Sequence, residues 1–221
     1  MEVVSPKQNK ILLGSGSPRR RELVRRIGLE PVVRVSDIPE VRGPDEAPVE
    51  YARRLALEKA RAVADEVADQ ADLPRWLLSA DTIVVLGEDV LEKPDGPDDA
   101  CSMLRRLSGE RHEVITAFCW LRRAIGEGQE RLEEVRHVAA SVWLRPLSDA
   151  MIERYVATGE PMDKAGSYGI QDIGAVLVRA VEGSYFAVVG LPVCEVVETL
   201  QQMGGLEDYP FVLNSSEGGG R

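Results

Sequence analysis

The stretch Ile11-Leu12-Leu13-Gly14-Ser15-Gly16-Ser17-Pro18-Arg19-Arg20-Arg21-Glu22-Leu23 passes from an apolar run to a helical pattern through small polar residues. Ile11 to Leu13 read as a short buried strand. Ser17 before Pro18 is an N-cap residue followed by proline at the first helical position, where a missing N–H costs nothing. Strand, turn and helix form the opening unit of an α/β fold. The junction also has the makings of an anion site. Free backbone N–H groups, serine hydroxyls and the positive end of a helix dipole converge there with the guanidinium forks of Arg19 and Arg20. Successive helical residues point about 100° apart, so Arg21 is expected to face solvent. The segment matches neither the P-loop nor the dinucleotide-binding signature. Taken alone, it reads better as an ordinary turn before a solvated basic helix.

Outward from this unit, strand-like runs alternate with segments of helical period. A helix from about Pro18 to Ile27 ends at Gly28, a strand follows near Val32 to Val35, and a loop rich in Pro and Asp spans Asp37 to Pro48. The next helix repeats Ala52, Ala56, Ala60, Val63 and Val67 on one face, leaving Glu58 and Lys59 off that stripe. Trp76 to Leu86 read as a buried strand that turns at Gly87-Glu88-Asp89 into Val90 to Pro94. A short helix over Ala100 to Leu107 closes at Gly109, and Val114–Leu121 and Val135–Leu144 pair across a polar turn at Gly126 to Gly128. Ser148 caps a further helix, Ala175–Val181 and Tyr185–Val189 read as strands, and a last helix runs from Pro192 to Gly204. The expected domain is a single unit over residues 1–213, with residues 214–221 a disordered tail.

A chain of 221 residues can bury a full core, and no apolar run approaches the roughly 20 residues that span a bilayer. The first residues lack an apolar segment long enough for a signal peptide, which points to the cytoplasm. A net charge of −10 argues against a broad nucleic-acid surface, so an anionic ligand must be gripped locally. Residues 1–34 supply that locality, with eight lysines and arginines, Lys7 among them, against three glutamates. Cys101, Cys119 and Cys194 are far apart and read as small core residues, and His112 and His137 are too isolated for a metal site.

Three clusters carry chemistry. Asp81 interrupts the apolar strand Leu77-Leu78-Ser79-Ala80-Asp81-Thr82-Ile83-Val84-Val85, and a carboxylate there needs a metal ion or a lysine. Lys93, beyond the hairpin, is placed to fold back towards it. Met162-Asp163-Lys164-Ala165-Gly166-Ser167-Tyr168-Gly169-Ile170-Gln171 sets two glycines around a tyrosine, and Gln171 offers a donor and an acceptor suited to a base edge.

Together with Leu13–Arg20, Glu92-Lys93-Pro94, Leu55–Ala60, Leu107-Ser108-Gly109 with His112, and Gly183-Ser184-Tyr185 with Val189–Pro192, these blocks resemble the Maf family of nucleoside triphosphate pyrophosphatases, from about Ile11 to Met203. The resemblance implies an α/β fold: an elongated mixed sheet flanked by helices, similar to the inosine triphosphate pyrophosphatases, with two lobes around a cleft. It implies hydrolysis of a nucleoside triphosphate to the monophosphate and pyrophosphate with Mg2+ or Mn2+. Asp81 is then the general base or a metal ligand, joined by Glu40 and Glu58 as candidate ligands, while Arg19, Arg20, Lys59 and Lys93 hold the triphosphate with Ser15 and Ser17. Arg19, Thr82 and Gln171 resemble the branch acting on dTTP, UTP and modified pyrimidine nucleotides. The alternatives are a purine or 7-methyl-GTP substrate, or a nucleotide-binding regulator of septation without turnover. The expected partner is the nucleotide, with neither nucleic acid nor membrane. Homodimers are frequent in the family, though nothing in these residues marks an interface. Asp172 stands where the family usually has glycine, adding charge and bulk beside the base pocket.

Overall fold

The computed structural model of the chain describes residues 9–126, 128–205 and 209. Lys7 and the tail expected over residues 214–221 lie outside these. The opening unit forms as read. Strand β1 (Lys10–Leu13) gives way to helix α1 (Pro18–Arg26), and the Ser17 side chain accepts from the Arg20 amide as N-cap. Strand β2 is Glu30–Val33, two residues before the expected Val32–Val35; its pairing with β1 ends at Leu13 and Val33, where the Arg34 N–H donates to the Leu13 carbonyl.

Helix α2 (Pro48–Glu66) leads to the long strand β3 (Trp76–Leu86), its hairpin partner β4 (Asp89–Leu91) and helix α3 (Pro97–Leu107). Strands β5 (Arg111–Arg122) and β6 (Leu132–Leu144) pair in an unbroken antiparallel register, Trp76 to Val85 of β3 pairs in the same sense with Arg122 to Glu113 of β5, and helix α4 (Asp149–Val156) follows. Strand β7 (Val178–Gly183), helix α5 (Tyr185–Val189) and helix α6 (Val193–Gln202) complete the described chain. The sheet runs β2-β1-β3-β5-β6-β7, with β1 parallel to both neighbours and β4 added to β3. It is a mixed sheet flanked by helices, as the fold class required.

Two expectations near the C-terminal end are corrected. Ala175–Val181 begins as a 3-10 turn, Ile173–Leu177, before β7 starts. Tyr185–Val189 is helix rather than strand. Its composition favours a strand, but the Ser184 hydroxyl caps the Ala187 amide and Gly190 takes the left-handed conformation that ends the helix. Among the cysteines, Cys119 alone is fully buried, and Cys194 lies exposed on α6 near Glu198.

The core divides by the parity of β3. Leu77, Ile83 and Val85 pack with the alanine stripe of α2, whereas Trp76, Leu78 and Ala80 pack with Leu23 and Val24 of α1 and Val196 and Leu200 of α6. Beyond them Val84, Leu91, Val114 and Tyr168 join α3 and α4 in a third cluster. One further feature places the site. β1 pairs with β3 only at Leu77 and Leu78, and β4 pairs with the same edge only from Val84 onward. The edge of β3 between them is uncovered.

Candidate active site

That uncovered edge is the floor of a cleft of about 600 Å³, bounded by Gly14 to Arg20, Glu40, Lys59, Ala80 to Val84, Lys93 and the loop Met162–Asp172. A crevice at the carboxyl end of a parallel strand, where the sheet leaves a gap, is the usual ligand position in α/β folds.

Asp81 has the parity of Ser79, Ile83 and Val85, so it faces α2. The Ser79 hydroxyl donates to the Ala56 carbonyl at 2.5 Å, and one turn on, Lys59 Nζ lies 2.6 Å from Asp81 Oδ1. The charge partner demanded by a buried aspartate is therefore Lys59, with side chains only 8% and 12% exposed. Lys59 Nζ also lies 2.7 Å from Glu40 Oε1, and Lys93 Nζ reaches the other Glu40 oxygen at 3.9 Å. The expected approach of Lys93 to Asp81 is corrected here: α2 already lies over Asp81, and Lys93 pairs with the loop carboxylate instead. Burial pushes the Glu40 carboxyl up, but the hydrogen-bonded Lys59 ammonium, with Lys93 and Arg20, outweighs it and holds Glu40 below its ordinary range. Glu92 also lines the cleft and accepts from the Tyr51 hydroxyl.

Even-numbered β3 residues face the other way, towards α1. Arg20 donates through Nε to the Gly190 carbonyl at 2.8 Å, through Nη1 to the Ala80 carbonyl at 2.8 Å and Ser15 Oγ at 3.2 Å, and through Nη2 to Thr82 Oγ1 at 2.9 Å. Four of its five N–H groups are thus committed to the protein. Thr82 Oγ1 lies 2.8 Å from Thr116 Oγ1, which donates to the Ala187 carbonyl at 2.7 Å, so Thr82 donates to Thr116 and accepts from Arg20. Arg20 and Thr82 tie α1, β3, β5 and α5 together at the cleft wall, a structural duty the sequence reading missed. Arg19 also faces the cleft, paired at 3.1 Å with Asp163, while Arg21 is exposed away from it. Ser15 Oγ accepts from the Ser17 amide at 3.3 Å, so both serines shape the turn before α1.

Gln171 also lines the cleft, exposed, and its side-chain amide makes no hydrogen bond among the described residues. Its loop returns to the sheet through Gly166, whose amide donates to the Glu92 carbonyl at 3.1 Å. Gly166 has φ +67°, and a Cβ there would lie 2.9 Å from Val84, so no other residue fits. Glu58 is the one candidate outside the cleft. It pairs along α2 with Arg54 at 3.1 Å, one helical step from Lys59, and does not line the cleft. Among the described residues no three His, Cys, Asp or Glu side chains form a metal cluster, and no helix is long and apolar enough to cross a membrane.

A profile of the family described as Maf-like protein matches residues 10–203. The chain is 46% identical over 190 residues to the dTTP/UTP pyrophosphatase of Desulfotalea psychrophila (strain LSv54 / DSM 12343), covering 86% of this chain and 92% of that one. It is 46% identical over 201 residues to the dTTP/UTP pyrophosphatase of Geobacter metallireducens (strain ATCC 53774 / DSM 7210 / GS-15), covering 91% and 100%. A solved dITP/XTP pyrophosphatase from Mycobacterium abscessus is 15% identical over 88% of this chain and 95% of that one; its TM-score of 0.42 is too low to carry weight.

Proposed function

Because the chain belongs to the Maf-like protein family, we propose that its cleft hydrolyses dTTP and UTP to the nucleoside monophosphate and pyrophosphate. The observation that carries the reading is the convergence of Lys59, Asp81 and Glu40 on the uncovered stretch of β3, between a cationic wall and a loop presenting a free amide.

The reaction needs a water aligned on the α-phosphorus and neutralisation of the charge that grows on the leaving pyrophosphate. Asp81 is paired with Lys59 through Oδ1; as Lys59 turns to the substrate phosphates, Asp81 Oδ2 takes a proton from water as the oxygen attacks. The bond from the α-phosphorus to the bridging oxygen breaks, and the electron pair departs with pyrophosphate. Lys59, Lys93 and Arg19 are the cations free to turn towards phosphate oxygens, each now held by a carboxylate whose place the substrate takes. Arg20 is more committed and supports the wall on which the phosphates lie. Gln171 faces the nucleobase.

A divalent cation fits the donor set. Asp81 and Glu40 present carboxylate oxygens to one point, now occupied by Lys59 Nζ, and Mg2+ or Mn2+ needs only one or two carboxylates besides substrate phosphates and water. Those two residues would hold it, and the ion would supply charge neutralisation and a more acidic water. The reading carries with it a cytoplasmic setting, where nucleoside triphosphates are made and consumed. The test is a panel of triphosphates with Mg2+, assayed for pyrophosphate and ranked by kcat/KM. dTTP and UTP lead if the proposal holds, and a folded protein releasing no pyrophosphate from any of them ends it.

A further inference from the structure

We infer that Tyr155 and Glu160, which do not line the cleft, are positioning residues that clamp the loop carrying Gln171 and so set nucleobase selectivity; the inference rests on the function proposed above. Tyr155 lies in the last turn of α4 and Glu160 opens the 3-10 turn Glu160–Asp163. The Tyr155 hydroxyl donates to Glu160 Oε1 at 2.9 Å and accepts from the Gly169 amide at 3.0 Å. Glu160 Oε1 also accepts from the Gly174 amide at 3.0 Å, and Oε2 from the Ile173 amide at 2.9 Å. One phenol and one carboxylate therefore hold the backbone on both sides of Ile170, Gln171 and Asp172, all three of which line the cleft.

The clamp leaves no slack. A Cβ on Gly174 would lie 2.4 Å from the Gly169 carbonyl oxygen and 2.5 Å from the Tyr155 hydroxyl, so the two ends of the segment close against each other with Tyr155 between them. Tyr155 is only 4% exposed, and burial, with the neighbouring Glu160 carboxylate, pushes its phenol up, so it stays a donor throughout the working range. A three-residue tip whose side chains are partly exposed, held at its base by charge-assisted hydrogen bonds, is a device for presenting Gln171 at one height above the cleft. Loosening it leaves the Lys59, Asp81 and Glu40 cluster untouched, since that cluster belongs to α2, β3 and the loop before α2.

The experiment compares Tyr155→Phe and Glu160→Gln with the unmodified protein. Phe keeps the packing of a core aromatic without the hydroxyl. Gln keeps one acceptor but turns an N–H2 donor towards backbone N–H groups. Each folded variant is assayed with UTP, CTP and GTP, and for inhibition by inorganic tripolyphosphate, which has no base. KM for UTP is expected to rise about tenfold with kcat within about twofold, the preference for UTP is expected to fall by a similar factor, and inhibition by tripolyphosphate is expected to hold. Unchanged selectivity in both folded variants overturns the clamp, as does an equal loss of affinity for tripolyphosphate, which would mark a general disturbance. An unmodified protein that turns over UTP, CTP and GTP alike overturns it too. An unmodified protein without activity on dTTP and UTP overturns the proposed function itself, and the selectivity role with it.

Discussion

In the mechanism proposed above Asp81 carries the chemistry, and its surroundings hold a charge there without using it up. One carboxylate oxygen rests on Lys59, and Lys59 is in turn shared with Glu40. Asp81→Asn therefore leaves Lys59 a partner, and the protein folds, while pyrophosphate release falls by about 10²–10⁴-fold. Near-normal turnover in the folded variant would make Asp81 structural. The three adjacent arginines divide by contact. Arg20→Ala strips donors from the Ala80 and Gly190 carbonyls and from Thr82 and Ser15, so it lowers unfolding free energy by about 2–3 kcal/mol as well as activity. Arg19→Ala removes a partly exposed ion pair worth about 0–1 kcal/mol, so it lowers kcat/KM with little change in Tm. Arg21→Ala alters neither. Thermal melts and kinetics on the three variants check the division, and equal effects at all three would remove it. The arginine pair, Asp81 and Gln171 were legible as residue types in unusual places. Glu58 was not separable from Lys59 by sequence, because neighbours on a helix differ only in which way they point.

Strand β3 does most to organise the site, and its alternation assigns each side chain a wall: Ser79 and Asp81 to α2, Ala80 and Thr82 to α1 and α5. Period-two reasoning on Trp76 to Leu86 therefore reaches the element and its parity. The identity of the helix over each face depends on chain crossings that no local pattern records. The short helix α5 shows the limit in another way. Tyr185 to Val189 is strand-like in composition, yet it is helical because Thr116 on β5 and the Ser184 and Gly190 caps hold it so. Thr116→Val, which keeps the volume and removes the hydroxyl, leaves the Ala187 carbonyl and Thr82 without that partner inside the core. It should cost about 1–3 kcal/mol by urea unfolding. A loss below a few tenths would show that α5 does not depend on the relay.

Across the whole molecule, stability should depend on acid through a group outside the cleft chemistry. His112 is buried at the junction of β5 and the Gln171 loop, its Nε2 2.7 Å from the Tyr168 hydroxyl, and desolvation holds the imidazole down at about 4 instead of 6.5. The unfolded chain binds this proton below about 6.5 and the folded chain only near 4, so the contribution is full above 6.5 and is lost as pH falls from 6.5 through 4. The shift corresponds to about 3 kcal/mol. Urea midpoints across that range should decline in the natural protein, and a His112→Gln variant, which can still bond Tyr168, should decline less; parallel curves would rule the effect out. By itself the amino-acid sequence determined the α/β class, most of the elements, the capped turn before α1, and a strand aspartate in need of a cation, because periodicity, capping and the cost of a buried charge are local. Only the tertiary structure decided that Lys59 meets Asp81, that Arg20 and Thr82 brace a wall, that Glu58 faces away, and that Tyr155 and Glu160 hold the Gln171 loop. The first two join residues far apart in the chain, at distances that exist only once β3 is covered on one face by α2 and on the other by α1, while the other two follow from which faces α2 and α4 bury.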